Sequence, residues 1–291
     1  MAFERLVRFV PKGDTSRVLV GEPVDSSVDV GLAVYKGEEV QVKVYSGSSV
    51  LDAGSPTGET AVIGQILSPV TANEAGTIRC IGLNQYKRHA EEAKMSIPDI
   101  PTLFLKPPTC LAGPYPEPTI IPKHTIASDS ADYESELAII LGKEAKNVSE
   151  ADALDYVLGY TACNDISSRA SQFAQTQWCY SKGFDGACPI GPVLVSKDVI
   201  KDVGKLRLRG LKNGKAVQDS PLTDLIFSVE QIVSFVSQGT TLPKGTVIIT
   251  GTPAGVGFAH KPQELLHDGD EFIVEIQPHI GSLVNKLQNE K

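Results

Sequence analysis

Short apolar runs separated by polar turn residues make up most of the chain, and they have the length and composition of β-strands. Val40–Tyr45 alternates apolar and polar positions, whereas Leu137–Leu141 is continuously apolar, as expected of a half-buried and a fully buried strand. Helical patterns are fewer, and Gln85–Met95 and Ser149–Tyr160 are two of them. The pattern therefore predicts a mainly β fold with flanking helices, of the α+β class.

The same pattern divides the chain into a small and a large part. Residues 1–72 hold short strand-like runs with Gly, Ser, Asp and Pro between them and no motif with obvious chemistry. Residues 73–291 hold the longer strands and all candidate site residues, and within them the proline-dense stretch 97–122 is expected to be extended and irregular. We predict a small β-rich N-terminal domain over 1–72 and a catalytic domain over 73–291.

Composition argues against several classes of partner. The net charge of −8 and the pI near 5.2 argue against nucleic acid and anionic membrane surfaces, and no apolar run approaches the roughly 20 residues of a membrane span. The five cysteines include no Cys-x-x-Cys pair and the histidines show no ligand spacing, which predicts reduced thiols and no zinc. We expect a cytoplasmic protein, with a mitochondrial location as the alternative.

Two glutamates stand where the chain enters a buried strand. Glu134 and Glu136 are two residues apart, so their side chains share one face of a strand that continues into Leu137–Leu141. Like charges this close either force one carboxyl group to protonate or require a cation between them, and oxygen ligands suit a hard divalent ion. On the local pattern alone, an edge strand with two solvated glutamates explains these residues equally well.

Four further residues have both a chemical and a plain structural interpretation. His89 and Glu92 are neighbours on a helical face, where the carboxylate can orient the imidazole as a general base, or both side chains are simply solvated. Asp165 is either a third oxygen ligand or the cap of an Asx turn. Lys182 lies among aromatic and small residues and is either buried beside a charge partner or part of an exposed loop.

A glycine-rich loop, Gly251–Gly257, follows the predicted core strand Thr246–Thr250. It lacks the Gly-Lys-Ser/Thr ending of a phosphate-binding P-loop. Its backbone N–H groups, beginning with that of Gly251, and the Thr252 hydroxyl group can bind a carboxylate or an oxyanion. A tight hairpin would use the same glycines.

Together these residues describe one chemically coherent site. The carboxylates of Glu134, Glu136 and Asp165 are balanced by one divalent cation and the Lys182 ammonium group. Three monodentate ligands leave about half of an octahedral Mg²⁺ shell open to water and substrate. A 2-oxo acid fits those positions through its carboxylate and keto oxygens, with the metal stabilising an enolate. The lysine adds positive charge at the oxyanion, and the histidine–glutamate pair moves a proton or activates water.

Five motifs follow one another in the larger part of the chain. They are Ile81-Gly82-Leu83-Asn84-Gln85-Tyr86 with His89 and Glu92; Asp132-Tyr133-Glu134-Ser135-Glu136-Leu137-Ala138; Asn164-Asp165-Ile166-Ser167 with Arg169; Lys182-Gly183-Phe184-Asp185 with Pro189-Ile190-Gly191-Pro192; and Thr250-Gly251-Thr252-Pro253-Ala254-Gly255-Val256-Gly257. From about Ile78 to the C-terminus, the chain closely resembles the fumarylacetoacetate hydrolase superfamily. The resemblance is to its branch of hydroxyheptadienedioate isomerases, acylpyruvases and oxaloacetate tautomerases.

The resemblance implies a catalytic domain built from a rolled mixed β-sheet, a homodimer, and Mg²⁺ or Mn²⁺ at the three carboxylates. It also implies that His89 and Glu92 form a catalytic dyad on a lid. The residues it places against the substrate are Arg169, Gln172, Lys182 and Thr252, and we add Gly251 to this set.

The resemblance leaves the reaction open. Members of the superfamily hydrolyse fumarylacetoacetate and acylpyruvates, decarboxylate or tautomerise oxaloacetate, or isomerise hydroxymuconate-type diacids. We expect a Mg²⁺-dependent enzyme acting on short 2-oxo or 2,4-dioxo acids through a metal-bound enolate, by oxaloacetate tautomerisation or decarboxylation or by acylpyruvate hydrolysis. The alternatives are a hydroxymuconate-type diacid isomerase and a metal-binding protein of the same fold without catalysis.

Overall fold

The computed structural model describes residues 3–84 and 98–291. The strands of these residues are β1 (Arg5–Pro11), β2 (Leu19–Pro23), β3 (Gln41–Tyr45), β4 (Pro56–Ile66), β5 (Ile78–Gly82), β6 (Thr102–Lys106), β7 (Leu111–Ala112), β8 (Thr119–Ile121), β9 (Ala131–Asp132), β10 (Ser135–Leu141), β11 (Val157–Asn164), β12 (Ser167–Ser168), β13 (Cys188–Ser196), β14 (Arg207–Lys212), β15 (Lys215–Pro221), β16 (Val247–Ile249), β17 (Glu271–Gln277) and β18 (Gly281–Asn289). The α-helices are α1 (Val30–Tyr35), α2 (Ala72–Ala75), α3 (Lys123–Ile126), α4 (Arg169–Phe173), α5 (Cys179–Lys182) and α6 (Val229–Ser237). The predicted mainly β fold with flanking helices is confirmed.

Strands β1 to β4 form a closed antiparallel ring at the start of the chain. β1 pairs with β2 and β4, and β3 pairs with the same two strands. β1 also reaches beyond the ring, because Arg5 and Leu6 pair with Val195 and Leu194 of β13. The ring is therefore hydrogen-bonded to the main sheet through a strand that both share.

The main sheet continues from β13 through β11, β10, β16 and β5 to β6. It is mixed, because β16 and β5 run parallel while the other neighbours in this series are antiparallel. All seven residues of β10 are buried. The register pairs Ser135 with Asn164, and the Asp165 N–H donates to the Glu134 carbonyl oxygen at 2.9 Å. The sheet thus brings the predicted carboxylate positions of two strands side by side.

A second sheet, in the order β15-β14-β17-β18-β8, packs on one face of the first. The rings of Tyr133 and Phe272 stack across the interface with centroids 4.3 Å apart. A buried polar contact also crosses it, since the Asn164 Nδ2 donates to Asn285 Oδ1 at 3.0 Å. Both contacts lie beside Glu134 or Asp165 and hold the two sheets in register around them.

One predicted helix is shorter than expected and of a different kind. Ser149 does cap a helical segment by accepting from the Asp152 N–H, but Glu150–Tyr156 is a 3₁₀ helix. Strand β11 begins at Val157 instead of a continued helix. The run after Tyr156 is fully flanked by β10 and β13, and strand pairing in a buried sheet outweighs the local helical pattern.

Asn84 fixes the end of β5 to two other parts of the fold. Its Nδ2 donates to the carbonyl oxygens of Thr250 and Phe227, at 2.9 and 3.3 Å, and its Oδ1 accepts from the Phe227 N–H at 2.7 Å. The side chain is buried. Asn84 is therefore held in place beside the start of the glycine-rich loop.

A membrane span would need a longer and more apolar helix than any that the described residues form.

Candidate active site

The predicted acidic residues meet in one buried cluster at the ends of β10 and β11. Glu134, Glu136 and Asp165 each offer a carboxylate oxygen, and these three oxygens lie within 4.8 Å of one another. In residues 3–84 and 98–291, this is the group of metal-ligating side chains whose spacing could hold an ion. The interpretation of Glu134 and Glu136 as solvated edge residues is wrong, because both are buried.

Lys182 lies between two of these carboxylates. Its Nζ is 2.9 Å from Glu134 Oε2 and 2.8 Å from Asp165 Oδ2, and it donates to Ser167 Oγ at 2.7 Å. Burial alone would lower the pKa of Lys182, but Asp165 and Glu134 outweigh it and hold the pKa above its ordinary value. The exposed-loop interpretation of Lys182 is therefore wrong, and the predicted charge partner is present.

Arg169 links the cluster to a further carboxylate. Its Nε donates to Asp132 Oδ2 and its Nη1 lies near Glu134 Oε1, both at 2.7 Å. Asp132 is itself held by the N–H groups of Gly257 and Phe258, at 2.7 and 3.0 Å. Asp132 was not predicted as a site residue, although it begins the motif that contains Glu134. Its role is to hold the Arg169 guanidinium group in place.

Lys106 is a second buried lysine, and unlike Lys182 it was not predicted from the sequence. Its Nζ is 2.5 Å from Asp165 Oδ1 and donates to the Ala187 carbonyl oxygen at 2.7 Å. Lys106 ends β6, a strand inside the stretch predicted to be irregular, and the outward side chains of that strand are Leu103 and Leu105. From the sequence, alternation in this strand would place Leu103 and Leu105 inward, so no local signal identified Lys106 as buried.

Asp165 receives both lysines, one on each oxygen. Burial alone would raise the pKa of its carboxyl group, but Lys106 and Lys182 lower it below the ordinary value. Asp165 is therefore held as an anion.

Glu136 has a different environment. It accepts from the Gly251 N–H at 2.7 Å, and among the described residues no cation pairs with it. Burial, followed by the charges of Asp165 and Glu134, raises the pKa of Glu136 well above its ordinary value. The backbone at Gly251 has a φ of +95°, and a Cβ there would lie 2.8 Å from the Ile81 carbonyl oxygen, so glycine is required to present this N–H.

A cleft of about 260 Å³ opens over the cluster. The predicted substrate-binding residues Arg169, Gln172, Gly251 and Thr252 line it, as does Lys182. Gln172 accepts from Arg169 Nη1 at 2.8 Å. The predicted catalytic pair His89 and Glu92 lies outside the described residues.

Gln218, which was not predicted from the sequence, holds the glycine-rich loop through its side-chain amide. Its Nε2 donates to Thr252 Oγ1 at 2.8 Å and to the Pro253 carbonyl oxygen at 3.0 Å, while its Oε1 accepts from the Ser135 N–H. The amide thereby ties the glycine-rich loop to the strand that carries the glutamates.

The donor set fits a divalent metal ion. Three carboxylate oxygens are the ligands that hard cations prefer, and a buried Glu136 without a cationic partner among the described residues needs positive charge nearby. Glu134, Glu136 and Asp165 would hold such an ion, with Lys106 and Arg169 fixing the carboxylates from the outer side.

Substitution of Glu136 by glutamine tests this charge balance. A raised folded-state pKa means that protonation of Glu136 favours folding, and this stability is lost as the pH rises from about 4 towards the raised pKa. Glutamine cannot lose a proton. We expect metal-free E136Q to be more stable than the parent in urea denaturation at pH 8, and this difference to be smaller at pH 5.

The same experiment with Mg²⁺ or Mn²⁺ reports on metal binding. The metal should stabilise the parent by mass action and E136Q much less. E59Q, at the exposed ion pair of Glu59 with Arg17, is the control. Equal stabilisation of parent and E136Q by metal, or an E136Q protein less stable than the parent at pH 8, would contradict the assignment.

Substitution of Lys106 by methionine tests the buried ion pair with Asp165. The variant leaves a buried carboxylate oxygen and the Ala187 carbonyl oxygen without their donor, so we expect it to lose about 3–5 kcal/mol of stability. K12M is the matched control, since Lys12 pairs with Glu39 at 2.7 Å but both side chains are exposed; its loss should stay below about 1 kcal/mol. Similar losses in the two variants, measured by urea denaturation, would show that burial does not strengthen the Lys106 contact.

Comparison with known proteins places this site in a family of enzymes. The family model "Fumarylacetoacetate (FAA) hydrolase C-terminal" matches residues 77–288. A protein of Neonothopanus nambi named caffeoylpyruvate hydrolase is 44% identical over an alignment of 296 positions, which covers 99% of this chain and 94% of that protein. The mitochondrial oxaloacetate tautomerase of Rattus norvegicus is 38% identical over 222 residues, which cover 76% of this chain and 68% of that protein.

Solved structures agree with this assignment. The 5-carboxymethyl-2-hydroxymuconate delta-isomerase of Mycobacterium smegmatis superimposes with a TM-score of 0.80 at 29% identity, covering 98% of this chain and all of that chain. Maleylpyruvate hydrolase of Sphingobium sp. SYK-6, solved with manganese(II) and pyruvate, gives a TM-score of 0.65 at 26% identity, covering 81% of this chain and 77% of that one. The chain is an enzyme of the fumarylacetoacetate hydrolase family.

Proposed function

We propose that the chain hydrolyses the C–C bond of acylpyruvates with Mg²⁺ as cofactor and Mn²⁺ as a possible substitute. The observation that carries the proposal is the buried Glu136 carboxyl group, which stands without a described cationic partner beside Glu134 and Asp165 on the floor of a cleft. The relative named caffeoylpyruvate hydrolase and the neighbour named maleylpyruvate hydrolase support this choice within the family.

The three carboxylates would hold the metal, which as a Lewis acid would polarise the 2-oxo group of the substrate. Arg169 lines the same cleft, and its Nη2 has no hydrogen-bond partner in the described part of the chain. We assign this N–H group to the substrate carboxylate, because a buried guanidinium nitrogen without a partner is costly and a carboxylate satisfies it.

Thr252 and Lys182 are the other groups assigned to the substrate. The Thr252 hydroxyl group accepts from Gln218, so its own hydrogen is free to be donated towards an oxygen in the cleft. The Lys182 ammonium group adds positive charge where an oxyanion develops. Gly251 and Gln172 complete the wall around these groups.

Water is the only co-reactant that the proposed reaction needs. Water, activated by His89 with Glu92, adds to the 4-carbonyl carbon of the acylpyruvate. The bond between C3 and C4 breaks, and its electron pair passes to C3, giving the enolate of pyruvate and a carboxylic acid. The enolate takes a proton at C3 to give pyruvate, and the acid releases one to give its carboxylate.

Tautomerisation of oxaloacetate is the second candidate. It is favoured by relatives such as the rat enzyme, at 38% identity, that are named oxaloacetate tautomerases. It needs the same residues around the 2-oxo acid head and a proton transfer at C3, but no water. Isomerisation of larger diacids and a metal-binding protein without catalysis are further outcomes that the assay can reveal.

The test follows acetylpyruvate and oxaloacetate with Mg²⁺ and then with EDTA, measuring enol absorbance and pyruvate release together. We expect Mg²⁺-dependent release of pyruvate and acetate from acetylpyruvate. H89A should lower kcat by roughly a hundredfold or more and keep the stabilisation by Mg²⁺. H267A, which removes an exposed imidazole paired with Asp129, is the control and should retain parental kcat.

Other outcomes decide against the hydrolase. Faster enol equilibration of oxaloacetate without pyruvate release identifies a tautomerase, and release of pyruvate from oxaloacetate alone identifies a decarboxylase. Loss of Mg²⁺ stabilisation in H89A would show that His89 acts on the metal site instead of on turnover.

A homodimer formed at β6 is part of the proposal. Within the described residues β6 pairs with β5 alone, and it turns the exposed side chains of Leu103 and Leu105 outward. The L103K/L105K variant should sediment as a monomer where the parent sediments as a dimer. V18K/V24K, which charges two exposed apolar positions of the N-terminal part, is the control. A parent that is monomeric, or a dimer that survives L103K/L105K, contradicts this interface.

We place the enzyme inside the cell, in the cytoplasm or, as for the relatives named mitochondrial, in the mitochondrion.

A further inference from the structure

The cleft is lined by buried charged residues at its floor and by exposed aromatic residues at its rim. The floor residues Glu136 and Lys182 are almost fully buried and charged, whereas the rim residues Phe173 and Phe258 are 64% and 41% exposed. A pyruvate head needs the charges of the floor. The rim therefore belongs to the part of the substrate beyond the head.

One wall of the cleft is formed by Phe104 and Trp178. Their rings meet edge to face with centroids 5.5 Å apart, and Lys182 Nζ lies 5.4 Å from the Phe104 ring centroid. Trp178 rests on the end of β5, where a Cβ on Gly82 would lie 2.4 Å from Cζ3 of the indole ring. This wall thus begins at the lysine of the floor and is fixed against a backbone that tolerates no side chain.

Phe173 and Phe258 form a second aromatic wall in the lining of the same cleft. Their ring centroids are 4.8 Å apart, and each is tied to the floor by its own element. Phe173 ends α4, the helix that begins with Arg169, and the Phe258 N–H donates to Asp132, the partner of Arg169. Because both walls are attached to floor residues, the fold sets the distance between the rim and the site that binds the pyruvate head.

Beyond the site of the pyruvate head, the described lining offers no cation to a second negative charge. Arg169 and Lys182 are the cations among the described lining residues, and both already pair with Asp132, Glu134 or Asp165 at the floor. A substrate with a distal carboxylate would place it between aromatic rings, where a charge without a partner is costly. An aromatic ring there would gain edge-to-face or offset contacts with four neighbours.

We infer that the preferred substrates are acylpyruvates with an uncharged aromatic acyl group, held between the Phe104–Trp178 wall and the Phe173–Phe258 wall. The inference rests on the proposed hydrolysis of acylpyruvates and assigns its acyl subsite. Cleavage would then yield an aromatic carboxylate and pyruvate by the bond changes given above.

Binding can be measured apart from catalysis, since Trp178 is the single tryptophan of the chain and lines the cleft. The probes are three 2-oxo acids that cannot be hydrolysed because they lack the 4-carbonyl group to which water adds. They are 4-phenyl-2-oxobutanoate, 2-oxopentanoate and 2-oxoglutarate, which end in a phenyl, a methyl and a carboxylate group, respectively. In the Mg²⁺-loaded protein, titration of Trp178 fluorescence should give a Kd at least tenfold lower for the phenyl probe than for either of the others. Equal Kd values, or tightest binding of 2-oxoglutarate, would overturn the inference.

Variants locate the subsite. F173A and F258A should each raise the Kd of the phenyl probe about tenfold and change that of 2-oxopentanoate less than twofold. I126A, which trims an exposed apolar side chain of α3 outside the cleft, should change neither. If F173A and F258A changed the Kd of both probes equally, these rings would support the site as a whole and would not bind the aromatic group of the substrate.

Turnover separates this inference from the proposed function. Benzoylpyruvate should be hydrolysed with a kcat/KM at least tenfold above that of acetylpyruvate, and F173A should remove this advantage. Hydrolysis of acetylpyruvate at an equal or higher kcat/KM would overturn the aromatic subsite and leave the hydrolase intact. Preferential binding of the phenyl probe without hydrolysis of either substrate would overturn the hydrolase and leave the aromatic subsite standing.

Discussion

Compensation of buried charge is the constraint on which the rest of the structure depends. Four carboxyl groups and three cations lie together at the floor of the cleft, and with Glu136 ionised they carry one negative charge more than positive ones. A charge in such a place is stable only with partners at hydrogen-bond distance, and nearly every member of the cluster has two or more. The members are Asp132, Glu134, Glu136, Asp165, Lys106, Arg169 and Lys182.

The backbone supplies the precision that this compensation requires. Ser135 pairs with Asn164, so the chain delivers Glu134 and Asp165 to the same sheet edge from neighbouring strands. A slip of one residue in that register would turn Glu136 to the opposite face of the sheet. The loop that begins at Gly251 then closes over Glu136 with a backbone N–H group, which a side chain at that position would prevent.

The sequence was sufficient to predict that the acidic triad and Lys182 lie together, because their charges balance only as a set. It was insufficient for Lys106 and Asp132. Lys106 lies inward on a strand whose leucines point outward, which reverses the usual rule that apolar residues mark the buried face. Whether a residue of an edge strand faces the core depends on what the tertiary structure places beside it, and no local pattern contains that information.

The helix predicted over Ser149–Tyr160 was wrong at its C-terminal end for a related reason. The cap at Ser149 was correct because it depends on a contact three residues away, whereas β11 depends on partners far along the chain in β10 and β13. The mainly β fold was predictable because strand-like runs dominate the chain. The aromatic walls of the cleft were not, since their residues come from three separate stretches of the chain, with Phe104 in the first, Phe173 and Trp178 in the second and Phe258 in the third.

Strand β1 has a consequence for how the chain could be divided. It belongs to the N-terminal ring and also covers an edge of β13 through Arg5 and Leu6. A chain cut before residue 73 would leave the Leu194 and Val195 backbone without this partner, in a strand whose next neighbour, β11, ends at the acidic cluster. Open strand edges of this kind pair with other chains and aggregate. The N-terminal ring is therefore also the cover of an edge of the larger sheet, and a truncation that spares this edge has to keep β1.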